Sequence, residues 1–365
     1  MENRCSPEMK NLLVEMVGKG ASDLHLVAGT APQLRIDGKL MPADFRVLTP
    51  QDCQNLICSL LTREHVSTFE AEKELDVSLG LADIGRFRAN VYRQRDSIAV
   101  AIRLIPSGIQ SFEELGLPVE IVKNLASKEM GLIIISGAAG TGKSTTLAAM
   151  VKYINQIRRC HIVSIEDPIE YVHRHEKGII SQRELGQDTK SFSQALKHVL
   201  RQDPNVILLG EMRDLETIES ALLIAETGHL VLATLHTGTS SDAISRIIDV
   251  FPAFQQPQVR TQTSLILLGV IVQQLLPRAN DEGRVLAVEV MVATPAIQNL
   301  IRENKLEQIY SAIQTGSKYS MCTLSHSLSE LYKRGEIGFD MALSMAPNPK
   351  EFLRLVENSK SHLVK

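Results

Sequence analysis

The stretch Gly137-Ala138-Ala139-Gly140-Thr141-Gly142-Lys143-Ser144, followed by Thr145, has the spacing G-x-x-x-x-G-K-[ST] of a phosphate-binding loop. Glycines there let successive backbone N–H groups turn inward around phosphate oxygens, and the helix that follows presents its positive N-terminal end to them. Lys143 is of the type that reaches the β- and γ-phosphates, and Ser144 carries a hydroxyl suited to Mg²⁺. A glycine-rich turn that binds nothing is disfavoured by context. The β-branched run Ile133-Ile134-Ile135 precedes the loop, and the helical pattern Leu147-Ala148-Ala149-Met150 follows it. Residues 137–145 are expected to hold a nucleoside triphosphate.

Cleaving that triphosphate needs acids near the γ-phosphate. In an open α/β sheet they belong at the carboxyl ends of neighbouring strands. Ile162-Val163-Ser164-Ile165 runs out into Glu166-Asp167-Pro168-Ile169-Glu170, and Val206-Ile207-Leu208-Leu209 into Gly210-Glu211-Met212-Arg213-Asp214. The second lies where a Walker B acid belongs, but Gly210 holds the usual Asp position and the acid comes one residue later. One acidic strand exit reads as readily as a helix cap or a solvated turn; two of them downstream of a phosphate loop point to chemistry.

A third segment, Thr227–His236, sets His229 and His236 at the two ends of a buried apolar run, about 23 Å apart if extended. That distance excludes a shared metal and leaves phosphate sensing or an ordinary structural role open. His173 and His175 fall in a charged stretch and read as surface residues. A hydrolase of this class also needs cationic charge on the γ-phosphate, worth ~10³–10⁵ in rate when an arginine supplies it. No donor is evident around the phosphate loop. Arg86, Arg88 and Arg103, on strands nearer the N-terminus, are solvated by default. They motivate the expectation that the N-terminal region supplies the charge, in trans within an oligomer.

Composition bounds the rest. The formal net charge is −3, with 44% hydrophobic and 22% charged residues, which suits a globular chain and not a nucleic-acid coat. The five cysteines are scattered without a C-x-x-C pair, consistent with reduced thiols and no zinc framework. No basic-then-apolar leader opens the chain, and the longest apolar run, Leu265 to Val272, is far below the ~18 residues of a membrane span. A soluble cytoplasmic protein is expected, touching a membrane only through a partner.

The elements that must position these residues follow from periodicity. Met9, Leu12, Leu13, Met16 and Val17 predict an opening amphipathic helix, stopped by Gly18 and Gly20. Short strand-like runs follow, with Leu34-Arg35-Ile36 before a turn at Asp37-Gly38, then a helix over 51–61. Two strands are expected at 85–93 and 97–105, with Phe87, Ala89 and Val91 on one face and Arg86, Arg88 and Asn90 on the other. Residues 1–105 therefore form a small α+β domain, and Pro106-Ser107-Gly108 and Pro118 bracket a linker over 106–118. From 119 to 292, buried strands alternate with helices, as in a parallel α/β sheet. The expected strands are 132–136, 161–165, 179–181, 206–209, 230–235 and 286–291, and Asp214 is expected to cap a helix over Ile218–Ala225. Residues 293–365 read as helical, with a loosely ordered polar tail over the last twenty.

Taken together, these segments resemble the secretion and pilus-motor ATPase superfamily, and within it the type IV pilus retraction class. The resemblance runs from Gly20-Ala21-Ser22-Asp23-Leu24-His25-Leu26 through the phosphate loop. It continues through Ser164–Tyr171 (an Asp box), Leu209–Ile218 (an atypical Walker B, in which Gly210 is normal) and Thr227–His236 (a His box). It implies a PAS-like N-terminal domain, a RecA-like P-loop ATPase domain and a helical C-terminal extension. It implies ATP and Mg²⁺ as ligands, with Glu166 as general base, Glu211 serving Mg²⁺ and water, and Arg88 and Arg103 as arginine fingers. It further implies a homohexamer acting on an inner-membrane pilus platform protein, beside a paralogous retraction ATPase. Ala296–Glu303 resembles the class's retraction motif but carries Gln298 where the class has Arg.

Pilus-assembly and type II secretion ATPases share this core but carry a four-cysteine zinc module and a further N-terminal domain. No cysteine lies between Thr237 and Met291, and the chain opens directly on the PAS-like part, which favours retraction. A DNA-translocating motor would show DNA-stimulated hydrolysis and steep salt dependence; the acidic balance argues against it, and no nucleic acid is expected. A nucleotide-responsive adaptor without turnover would need a hidden defect, since Lys143, Ser144, Glu166 and Glu211 are all present.

Overall fold

Hydrophobic spacing sets the first element. Ser6 caps helix α1 (Pro7–Gly18) by accepting the Met9 N–H, and Met9, Leu12, Leu13 and Met16 turn inward. The computed structural model describes residues 5–36, 38–81, 84–105, 108–280 and 283–360, and divides into two units, one ending at Gly108 and the other beginning at Ile109. Asp37 of the expected turn and Pro106 and Ser107 of the expected linker lie outside the described residues.

The first unit is one six-stranded sheet in the order β3-β2-β1-β6-β5-β4. Its strands are β1 (Asp23–Leu26), β2 (Gln33–Ile36), β3 (Lys39–Pro42), β4 (Glu74–Leu81), β5 (Gly85–Gln94) and β6 (Ser97–Ile105), all paired antiparallel. Helices α2 (Pro50–Cys58) and α3 (Arg63–Glu72) complete it. The expected alternation holds: Phe87, Ala89 and Val91 are at most 1% exposed and join Met9, Leu13, Leu24 and Ile102 in one core. The opposite face keeps the arginines.

The second unit is a seven-stranded sheet in the order β13-β12-β7-β11-β10-β8-β9. The strands are β7 (Gly131–Ser136), β8 (His161–Glu166), β9 (Ile179–Glu184), β10 (Val206–Leu209), β11 (Leu230–Leu235), β12 (Leu267–Pro277) and β13 (Arg284–Val292). All neighbours run parallel except the β12–β13 hairpin. Both faces are covered, so alternate residues of one strand enter different cores. Leu132 and Ile134 pack with helices α6 (Phe192–Val199), α7 (Leu215–Glu226) and α8 (Ser240–Asp249), while Ile133 and Ile135 pack with α4 (Val119–Ala126) and α5 (Lys143–Ile157). Each such buried side chain contributes about 1.5–3 kcal/mol. Phe112 and Leu117 are buried in the second of these cores. Asp214 caps α7 as expected, its carboxylate accepting the Thr217 N–H at 2.9 Å.

Two elements differ from expectation. β12, central and buried, escapes a periodicity search because helix α9 (Gln256–Ile266) runs straight into it without a turn residue. The tail is not loose through residue 360: after α10 (Pro295–Arg302), α11 (Ile309–Gln314), α12 (Leu324–Lys333) and α13 (Phe339–Met345), it forms α14 (Pro349–Lys360). Phe352 and Val356 of α14 are buried, and its Glu351 accepts hydrogen bonds from Tyr310, Gln314 and Thr323.

Candidate active site

Four strand exits meet along one edge of the second sheet. Pairing aligns Ser136 with Leu235, Ala233 with Leu209 and Leu209 with Ile165. The edge therefore presents the phosphate loop, His236, Glu211 and Glu166 in that order around a cavity of about 460 Å³. Two glycines permit the close fit. Gly137 leaves β7 at φ 140°, and a Cβ there would sit 2.4 Å from the Gln273 carbonyl oxygen. At Gly210 a Cβ would press on the Glu166 Cα at 3.3 Å. Glycine at the usual Asp position thus lets the two acidic exits approach each other.

Lys143, only 8% exposed, donates from Nζ to the carbonyls of Gly137 at 2.8 Å and Ala138 at 2.9 Å, and Nζ lies 3.4 Å from His236 Nδ1. An ammonium only donates, so Nδ1 is the acceptor and His236 carries its proton on Nε2. That nitrogen faces Glu211 Oε2 at 3.3 Å, and Arg213 Nη2 reaches the same oxygen at 2.8 Å. Burial lowers the pKa of Lys143 against the opposing pull of Glu211 and Glu170. Burial alone would raise that of Glu211, but hydrogen bonds from Arg213 and His236 and the Arg213 charge hold it below the usual carboxylate range.

Glu166 sits in the contrary setting. Its Oε1 accepts from Ser164 Oγ at 2.5 Å and from Gln182 Nε2 at 3.2 Å. Burial still lifts its pKa above the usual range, and Glu170 adds to the lift. A carboxylate with a raised pKa is suited to taking a proton from water. The loop is braced from outside: Thr145 Oγ1 meets the Tyr171 hydroxyl at 2.8 Å, and the buried Gln273 donates to Thr146 Oγ1 at 2.7 Å.

Ser144 and Glu211 both line the cavity. These are hard oxygen donors of the kind Mg²⁺ takes one or two of, alongside substrate phosphates and water.

Three expectations are corrected. His173 is no plain surface residue: it lines the cavity, and burial pushes its pKa down to about 4. The loop region is not devoid of cations, since Arg213 and Arg284 line the same cavity. His229 does not join the site within one chain. It lies at the opposite end of β11, its carbonyl accepting the Gly131 N–H at 3.0 Å, with Nδ1 3.1 Å from the Ile224 oxygen. The remaining candidates, Arg88 and Arg103, belong to the first unit, where Arg103 Nε meets Asp23 Oδ1 at 2.9 Å and Arg88 Nε lies 3.7 Å from Asp76 Oδ1. Sequence reading missed Gln182, Gln273 and Arg284. For Gln273 a signal existed, an amide inside an apolar run; for Arg284 there was none.

The family described as type II/IV secretion system protein matches residues 3–333. The type IV pilus retraction ATPase PilT of Pseudomonas aeruginosa is 44% identical, covering 94% of this chain and 100% of that protein. The type IV pilus ATPase PilU of the same organism is 40% identical, covering 98% and 94%. A crystal structure of the pilus retraction motor PilT with bound ADP superposes with a TM-score of 0.89 at 50% identity, covering 94% of this chain and 98% of that one.

Proposed function

The chain belongs to the type II/IV secretion system protein family, and from that premise we propose that it is a Mg²⁺-dependent ATPase motor that retracts type IV pili. The observation that carries the chemistry is the meeting of Lys143, Glu211 and His236 in one hydrogen-bonded line beside the half-buried Glu166. The direction of work rests on likeness along the whole chain to the relatives named for retraction.

In this reading Lys143 exchanges the Gly137 and Ala138 carbonyls for β- and γ-phosphate oxygens. The Gly137–Thr145 backbone amides and the start of α5 hold the remaining phosphate charge. Ser144 and Glu211 would hold Mg²⁺, which would neutralise charge on the phosphates. Glu166 accepts the proton of the attacking water, and His236 links the Lys143 and Glu211 positions. A second cavity of about 550 Å³ shares Gly142, Thr145 and Leu275 with the first and extends to Arg278 and Glu336. In this reading it takes the base and ribose. Arg88 and Arg103 supply further cationic charge from a neighbouring copy in a homohexamer. The ring drives a platform protein at the inner membrane; among the described residues no helix is long and apolar enough to cross a membrane.

The test is made in the cell. Deleting the gene, with a Glu166→Gln copy as hydrolysis control, should leave cells piliated but unable to twitch. Bald cells would instead make the chain an assembly motor. Piliated cells that still twitch would make it an accessory to a paralogue, the reading favoured by its likeness to PilU.

A further inference from the structure

Four strands of the first unit set charged side chains in one row. In register, Arg35 of β2 faces Asp23 of β1, Asp23 faces Arg103 of β6, and Arg103 faces Arg88 of β5. Like charges directly opposite on neighbouring strands are destabilising, so the Arg103–Arg88 pair needs negative charge nearby. Asp23 provides it from a position only 7% exposed. Its Oδ1 accepts the Arg103 Nε–H at 2.9 Å; its Oδ2 accepts the Ser22 hydroxyl at 2.8 Å and lies 3.7 Å from Arg35 Nε. Burial opposes the charge, but the Ser22 and Arg103 hydrogen bonds hold the Asp23 carboxyl below its usual range.

Arg103 engages Asp23 through Nε alone. Its side chain is 72% exposed, and its Nη1 and Nη2 meet no partner among the described residues. Those two amines are the half of the guanidinium fork that grips two oxygens of one phosphate.

We propose that Asp23 is a positioning residue for hydrolysis, pinning the Arg103 guanidinium by Nε so that both terminal amines face an incoming nucleotide phosphate. Holding the stem beforehand removes rotamer freedom that would otherwise be lost on contact. The proposal rests on the reading of Arg103 as a supplier of charge to the site, and its test separates the two.

Steady-state ATP hydrolysis would be measured on the full chain. Asp23→Ala should lower kcat about tenfold with KM for ATP within twofold, and Asp23→Asn, which keeps an oxygen acceptor, should recover part of the loss. In an Arg103→Ala background Asp23→Ala should add nothing, whereas in an Arg88→Ala background it should keep its full effect. A role in folding alone would lower all backgrounds alike, together with Tm, and would overturn the proposal. Asp23→Ala and Asp23→Asn at the parent rate beside a slow Arg103→Ala would overturn it too, leaving the Arg103 reading standing. Arg103→Ala at the parent rate would remove both.

Discussion

The exits of β8 and β10 carry the same acid in opposite surroundings. Glu166 is half-buried, accepts two neutral donors and has a raised pKa. Glu211, two strands from the phosphate loop across β11, is touched by Arg213 and His236 and has a lowered one. Chemically identical carboxylates are thus pushed apart, one toward accepting a proton and the other toward staying charged beside a cation. The lesson is that the division of labour resides in what each strand exit touches, since both exits look alike as strings of residues.

Glu166→Gln is the sharpest way to break this contrast. It should cut kcat by ~10³-fold, the usual scale for a lost general base, while ATP binding measured by calorimetry stays within about threefold. Glu211→Gln should act on the metal instead. The Mg²⁺ concentration for half-maximal hydrolysis should rise about 100-fold, with saturating Mg²⁺ restoring part of the rate. If both variants lost only kcat, the two exits would share one role.

A smaller effect tests the cause of the Glu166 shift. As the proposed base Glu166 works deprotonated, so its raised pKa should place the acidic limb of the kcat–pH profile above the usual carboxylate range. Ser164→Ala removes a donor to the carboxylate, so that limb should move to still higher pH; a move to lower pH would contradict the assignment. The smallest effect concerns His173 in the cavity wall. His173, at about 4 in the folded chain against 6.5 ordinarily, is depressed, so its neutral form contributes stability above pH 6.5 that is lost as pH falls toward 4. Urea midpoints at pH 7.5 and 5 should show this loss in the parent and less of it in His173→Gln.

Local chemistry was legible where a run of neighbours carries it. The phosphate loop, both acidic exits and the Asp214 cap depend on residues a few positions apart, and all four are where their spacing placed them. So was the two-faced β5, whose apolar alternation is a local signature of a half-buried strand. β12 was not legible, since a strand buried on both faces has no alternation to read. Gln182 and His173 were missed because their importance lies in bordering Glu166 and the cavity, not in their sequence neighbours. The α14 tail looked polar because its anchors are few: Phe352, Val356 and a buried Glu351 whose donors lie on earlier elements.

By itself the sequence determined a glycine-rich loop between a buried strand and a helix, two acidic strand exits, and an alternating strand with arginines on its outer face. Chain order runs from the loop to Glu166, Glu211 and then His236. The sheet reorders them, because β11 inserts between β7 and β10. Only that arrangement puts His236 between Lys143 and Glu211 and leaves His229 at the far edge. The physical reason is that a crossover helix carries the chain past a neighbouring strand, so parallel strands consecutive in sequence need not lie side by side. Which side chains meet is therefore decided by packing across the sheet, which no stretch of the chain contains.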